Sequence, residues 1–137
     1  MAEVKVEGEV GAGVTAVWDL VRDFGGIGRW NPGLECTCDG TGVGAVREIN
    51  MGGAVIRERL EDLDDAARSF SYSILSGPIP VTDYLATVGL SDLGGNRTQV
   101  TWSSRYEPAG LPEADARKLL EGIYLGSIKG INRVLAG

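Results

Sequence analysis

A single long amphipathic pattern closes the chain, and it limits the folds open to everything before it. Between Leu111 and Gly137, the residues Leu120, Ile123, Tyr124, Ser127, Ile128, Ile131, Val134 and Leu135 recur at three- and four-residue spacing, the period of a helix with one apolar stripe. Pro112 suits a first helical turn, Glu113 and Asp115 oppose the positive end of the helix dipole, and Arg133 stands near the other end. Such a stripe has to be buried against another layer. Gly122, Gly126 and Gly130 fall on one side beside it. Each glycine costs about 1 kcal/mol against alanine inside a helix, so their placement predicts that sheet or ligand approaches the helix backbone closely.

The remainder supplies that layer. Residues 3–10 alternate charged and apolar side chains, with Val4, Val6 and Val10 facing in. Val14, Val17, Trp18, Val21 and Phe24 then take helical spacing up to Gly25-Gly26, and Gly28 to Pro32 predicts a second brief helix or turn ending at the proline. From Leu34 to Tyr106 about six strands follow one another, separated by turn chemistry at Asp39–Gly44, Gly52-Gly53, Asp64–Ala67, Gly77–Pro80 and Gly94–Asn96. Their inward sets are Leu34/Cys36/Cys38, Ile56/Glu58/Leu60, Phe70/Tyr72/Ile74, Tyr84/Ala86/Val88/Leu90 and Val100/Trp102/Ser104/Tyr106. Consecutive strands with tight turns make an antiparallel sheet, and only the C-terminal helix is long enough to cover its apolar face.

Length and charge narrow the function. A chain of 137 residues, 43% hydrophobic, without repeats or linkers, fits one domain over residues 1–137. The formal charge of -6 gives no basic face for nucleic acid. No apolar run reaches the roughly 20 residues of a membrane span, and the N-terminus lacks a signal-peptide pattern, so a cytoplasmic location is expected. With no histidine in the sequence, His-based triads and metal sites are excluded, and no metal or cofactor is expected. Cys36 and Cys38 lie two apart on one strand and read as reduced core thiols. Gly40-Thr41-Gly42-Val43-Gly44 joins two strands and lacks a following lysine, which excludes a phosphate loop.

The segment Val17–Phe24 leading to Trp30-Asn31-Pro32, then Glu58-Arg59-Leu60 before Asp64-Asp65, Gly77-Pro78-Ile79-Pro80-Val81 before Tyr84, Val100-Thr101-Trp102 and Glu121-Gly122-Ile123-Tyr124 together resemble the START-like (SRPBCC) superfamily. Within it the chain is most similar to the bacterial polyketide cyclase/dehydratase-like group that includes MxaD-like proteins. It is more distantly similar to plant abscisic acid receptors and the birch pollen allergen. The resemblance implies an α+β helix-grip fold: a curved antiparallel sheet of about seven strands around the long C-terminal helix, with two short helices after the first strand and an apolar cavity between sheet and helix. It does not imply one activity, because function is carried by the site and not by the fold.

Glu58 is the residue with most to decide. Strand alternation places this carboxylate among apolar neighbours, and the resemblance matches it to an inward-facing glutamate of the receptors. It would accept a ligand hydroxyl or act as acid/base; the alternative is a structural pair with Arg47 or Arg105. Tyr84 and Tyr124 combine an apolar body with a polar tip, which suits a mostly apolar ligand, although ordinary core packing uses the same features. Trp102 is the preferred stacking residue, with Trp30 a second candidate. Ser104, Ile123, Ser127 and Ile131 are expected to complete the wall. The resemblance also puts Arg47 near the mouth as a carboxylate anchor, against the more common outcome of an exposed strand arginine. Asn50–Gly53 and Gly77–Pro80 would be the lips.

Three functions are compatible with these residues. The first is binding of an apolar or aromatic small molecule by a monomer or homodimer. The second is cyclase or dehydratase chemistry with Glu58 as acid/base and Tyr84 or Tyr124 positioning the substrate. The third is a partner-binding module of the chaperone-cofactor type, which would show an exposed apolar patch in place of a cavity.

Overall fold

A computed structural model describes residues 1–31 and 33–136. Pro32, where the second short element was expected to end, and Gly137 lie outside the described residues. The order is β1 (Ala2–Val10), α1 (Val14–Val21), a 3-10 helix (Phe24–Arg29), β2 (Glu35–Asp39), β3 (Val46–Met51), β4 (Ala54–Asp64), β5 (Ser69–Ser76), β6 (Val81–Asp92), β7 (Thr98–Pro108) and α2 (Glu113–Ala136). All seven strands join one antiparallel sheet in the order β1-β7-β6-β5-β4-β3-β2. This is the helix-grip architecture. The first helix stops at Val21, short of Phe24, and the 3-10 helix begins at Phe24, upstream of the expected Gly28.

Period-two patterning does what it predicts along β6 and β7, where Tyr84, Ala86, Val88, Leu90, Val100, Trp102, Ser104 and Tyr106 are all buried. Interruptions of register bend the sheet. Pairing of β4 with β5 shifts between Arg57 and Glu58 and again between Leu60 and Asp62, and pairing of β6 with β7 shifts between Thr82 and Leu85. Bulges of this kind increase local twist and re-aim a side chain. At the last one Asp83 takes a φ of 51°, and the adjacent Tyr84 points into the interior. The two-residue turn at Gly52 and Gly53, with φ of 67° and 103°, closes the β3–β4 hairpin and fixes its register, so Arg47 stands directly opposite Glu58.

Helix α2 lies chiefly on β1 with a smaller contact to β7. Its buried face consists of Ala116, Leu120, Tyr124, Ser127, Ile128, Gly130 and Ile131. Val134, expected on that face, is 46% exposed, and Leu135 is half-buried, while Asn132 between Ile131 and these residues accepts the backbone N–H of Gly11, just beyond the end of β1. The short elements cover more of the inner face. Trp18 donates its indole N–H to Asp65 at 2.8 Å, and Arg22 bonds the same carboxylate, which ties α1 to the β4–β5 turn. The Arg22 guanidinium, and then Trp18, hold the Asp65 carboxyl below its ordinary value. Cys36 is half-buried and Cys38 exposed, so the expected pair of core thiols is not formed; β2 is an edge strand whose far end leaves the covered area.

The glycines of α2 divide into two kinds. A Cβ on Gly130 would clash with the Trp30 carbonyl oxygen, whereas one on Gly122 or Gly126 would meet nothing among the described residues within 4 Å. Gly130→Ala is therefore expected to destabilise the fold by about 1–3 kcal/mol through overpacking. Gly126→Ala should stabilise it by up to about 1 kcal/mol through helix propensity. Urea unfolding of the two variants checks the opposite signs.

Candidate functional site

Between α2 and the inner face of β3–β6 the side chains leave a cavity of about 310 Å³. Its apolar wall comes from Ile27, Leu34, Ile49, Ile56, Ile74, Ile79 and Leu120, and its aromatic wall from Tyr72, Tyr84, Trp102 and Tyr124. Met51, Gly122, Ile123 and Gly126 also line it and are exposed, which places the mouth between α2 and the Asn50–Gly53 turn. Ile79 brings the second expected lip, Gly77–Pro80, to the same cavity.

Among the described residues only two charged ones line this space, and they are bonded to each other. Arg47 donates Nε to one oxygen of Glu58, Oε1, at 2.8 Å, and its Nη2 lies 2.7 Å from the same oxygen. Its Nη1 donates to the Phe24 carbonyl at 2.8 Å, and the guanidinium sits 3.9 Å from the Phe24 ring centroid. Both side chains are buried, Arg47 at 4% and Glu58 at 7% exposure. Arg47 is thus neither an exposed strand arginine nor a free anchor at the mouth. Glu58 combines the two sequence expectations: it is paired with arginine and it faces the cavity. Its second oxygen, Oε2, has no hydrogen-bond partner among the described residues and retains surface toward the cavity.

A second polar group faces this pair. Tyr124 donates to Ser104 at 2.8 Å, so the hydrogen bond between Tyr84 and Tyr124 takes its proton from Tyr84. Trp102 stacks on Tyr124 with ring centroids 5.7 Å apart and donates its N–H to the Tyr72 hydroxyl at 3.0 Å. The Tyr72 proton has no protein acceptor among the described residues. Burial is the first cause in raising all these phenols: Tyr124 is pushed up to about 12, and Tyr72 and Tyr84 rise well above the ordinary value. They remain neutral donors and acceptors throughout the physiological range.

Of the ten residues named from sequence, Arg47, Glu58, Tyr84, Trp102, Ile123, Tyr124 and Ser127 line the cavity; Trp30, Ser104 and Ile131 do not. Trp30 is spent on packing, with its ring edge-on to Trp102 and its carbonyl against Gly130. Ser104 accepts the Tyr124 proton and is screened by that ring, while Ile131 lies in solid core at 0% exposure. Tyr72 was missed as a candidate, although it shares the inward face of β5 and lies in register with Leu60 and Ala86. Asn31 was missed as well, and only its place after the 3-10 helix brings it to the cavity.

A family model described as polyketide cyclase/dehydrase and lipid transport matches residues 1–136. The chain belongs to this family. Among solved structures, the protein XoxI from Bacillus cereus is 30% identical with a TM-score of 0.91, over 99% of this chain and 96% of that one. An uncharacterized protein from Bacillus thuringiensis is 29% identical with a TM-score of 0.91, over 99% and 100% of the two chains. The di-domain ARO/CYC BexL of the BE-7585A biosynthetic pathway shares the fold, with a TM-score of 0.84 at 18% identity, over 99% of this chain and 47% of that one. Among the described residues no helix is long and apolar enough to cross a membrane.

The buried pair predicts a double-mutant cycle. Arg47→Met strands a buried carboxylate and is expected to cost roughly 3–5 kcal/mol, whereas Arg47→Met/Glu58→Leu should recover most of that loss, as chemical denaturation would show. The tyrosines predict alkaline behaviour. Because their folded values are raised, their contribution is complete below the unfolded value near pH 10 and is lost as pH rises through about 12 for Tyr124. Absorbance at 295 nm should show tyrosinate from the cavity residues only together with unfolding.

Proposed function

We propose that this chain binds an apolar or aromatic small molecule in the cavity between α2 and the sheet. The observation that carries the reading is the cavity of about 310 Å³, with its largely aliphatic and aromatic wall and a few convergent polar groups. Trp102, Tyr72, Tyr84 and Tyr124 offer flat faces for stacking, and Glu58 Oε2 and the Tyr72 hydroxyl offer one acceptor and one donor to fix orientation. Ser127 and Asn31 add neutral polar contacts at the wall. The family's description covers both lipid transport and polyketide cyclisation or dehydration, and a cavity of this character serves either.

A second reading, cyclase or dehydratase chemistry, is favoured by the position of Glu58. A carboxylate with one oxygen held by arginine and the other open to a largely apolar cavity is suited to take a proton from a bound substrate, with the Tyr72 hydroxyl donating to the oxygen where charge develops. The two readings separate on the fate of the ligand. Recovery of the unchanged molecule after incubation supports a carrier. Turnover abolished by Glu58→Gln, in a variant that still binds, supports the enzyme.

Binding itself is tested at the mouth. Gly126 lines the opening and a Cβ added there meets no atom of the described residues within 4 Å, so Gly126→Leu should block entry without disturbing the fold. Titration with the neutral fluorescent amine N-phenyl-1-naphthylamine is expected to show at least tenfold weaker binding than wild type at a melting temperature no lower than that of wild type. Equal affinity in the two proteins would place the ligand elsewhere.

A further inference from the structure

We infer that the Arg47–Glu58 pair acts as a charge selector, so that the cavity admits neutral hydroxylated aromatic molecules and rejects their carboxylate counterparts. The inference rests on the proposed reading of the cavity as a ligand site and names the chemistry that site takes.

The argument is an inventory of charge and hydrogen-bonding capacity. An arginine at the wall of an apolar cavity ordinarily recruits an anion, since its planar fork matches a carboxylate. Here the charge of the fork is already paired. Nε donates to Glu58 Oε1, Nη2 lies 2.7 Å from the same oxygen and Nη1 donates to the Phe24 carbonyl, while the faces of the guanidinium rest against Phe24 and, at 5.2 Å, Tyr72. Among the described residues no other cation lines the cavity. An entering carboxylate would therefore be desolvated without a counter-ion, beside the uncommitted oxygen of Glu58, and a buried charge is tolerated only when paired. A neutral hydroxyl meets the opposite situation. Glu58 Oε2 accepts its proton, and the Tyr72 O–H, which has no acceptor among the described residues, donates to its oxygen. A cationic amine gains little, because Arg47 already balances Glu58. The interior charge is thus complete before the ligand arrives, and one acceptor remains for a donor.

Three probes of one shape decide the matter: 2-naphthol, 2-naphthamide and 2-naphthoate, titrated at pH 7 against the full chain by calorimetry and by quenching of tryptophan fluorescence. The expected result is that naphthol and naphthamide bind and naphthoate binds at least tenfold more weakly than either. In Glu58→Gln, checked for folding by circular dichroism, Arg47 loses its counter-ion and naphthoate should gain at least tenfold relative to naphthol. Naphthoate binding as tightly as naphthol to the wild-type protein overturns the inference and leaves the cavity reading standing; this comparison needs no variant. A naphthol-to-naphthoate ratio unchanged in folded Glu58→Gln shows that the pair does not set the selection. Failure of all three probes to bind removes the cavity reading and the inference together.

Discussion

One helix cannot cover seven strands. Six spacings of about 4.8 Å make the sheet some 29 Å wide, and a helix with its side chains is about 10–12 Å across. With α2 laid chiefly along β1 and partly on β7, the apolar face of β3–β6 has to be covered by other means. Bulges in β4 and β6 curl the sheet toward the helix, α1 and the 3-10 helix close one end, and a chain of aromatic rings from Trp18 through Phe70 and Tyr72 to Tyr84 spans the middle. The void is what these elements leave unfilled. Its position follows from where the helix lies, and its mouth from the absence of side chains at Gly122 and Gly126.

Polar groups inside that void are expensive, and the way each is satisfied defines what the void can do. Arg47 and Glu58 cancel each other's charge, and the price in desolvation is reduced further by the Phe24 carbonyl and ring. The tyrosine hydroxyls are arranged in a directed series, Tyr84 to Tyr124 to Ser104, while Trp102 donates to Tyr72. Trp30 Nε1 and Tyr106 Oη are the two buried side-chain atoms without a partner among the described residues. Neither residue lines the cavity. The groups with spare hydrogen-bonding capacity toward the cavity, Glu58 and Tyr72, stand across its wall where a ligand can use them.

Much of this was legible in the sequence, because periodicity reports which side chains share a face. The sheet, the covering helix and the inward direction of Glu58, Tyr84, Trp102 and Tyr124 follow from spacing alone. What spacing does not report is distance along an element. Ser104 and Ile131 lie on the correct faces, yet one stands behind the Tyr124 ring and the other in solid core beyond Ser127. The Arg47–Glu58 pair was available in principle: counting outward from Gly52-Gly53 sets the two residues opposite each other. Strand-by-strand reading offered it as one of two arginine pairings for Glu58, beside Arg105, and left Arg47 itself between a mouth anchor and an exposed strand arginine. The division among the α2 glycines was not available, since it depends on where the Trp30 carbonyl comes to rest.

The central claim is that the space between α2 and β3–β6 is a ligand site organised by the buried Arg47–Glu58 pair. A crystal structure of the protein grown with a neutral bicyclic aromatic alcohol tests it most directly. The account predicts ring density against Trp102 and Ile56, with the hydroxyl within hydrogen-bond distance of Glu58 Oε2 and the Arg47–Glu58 contact intact. Density only on the outer surface, or a cavity closed by inward collapse of Tyr72, Tyr84 and Ile123, would contradict it.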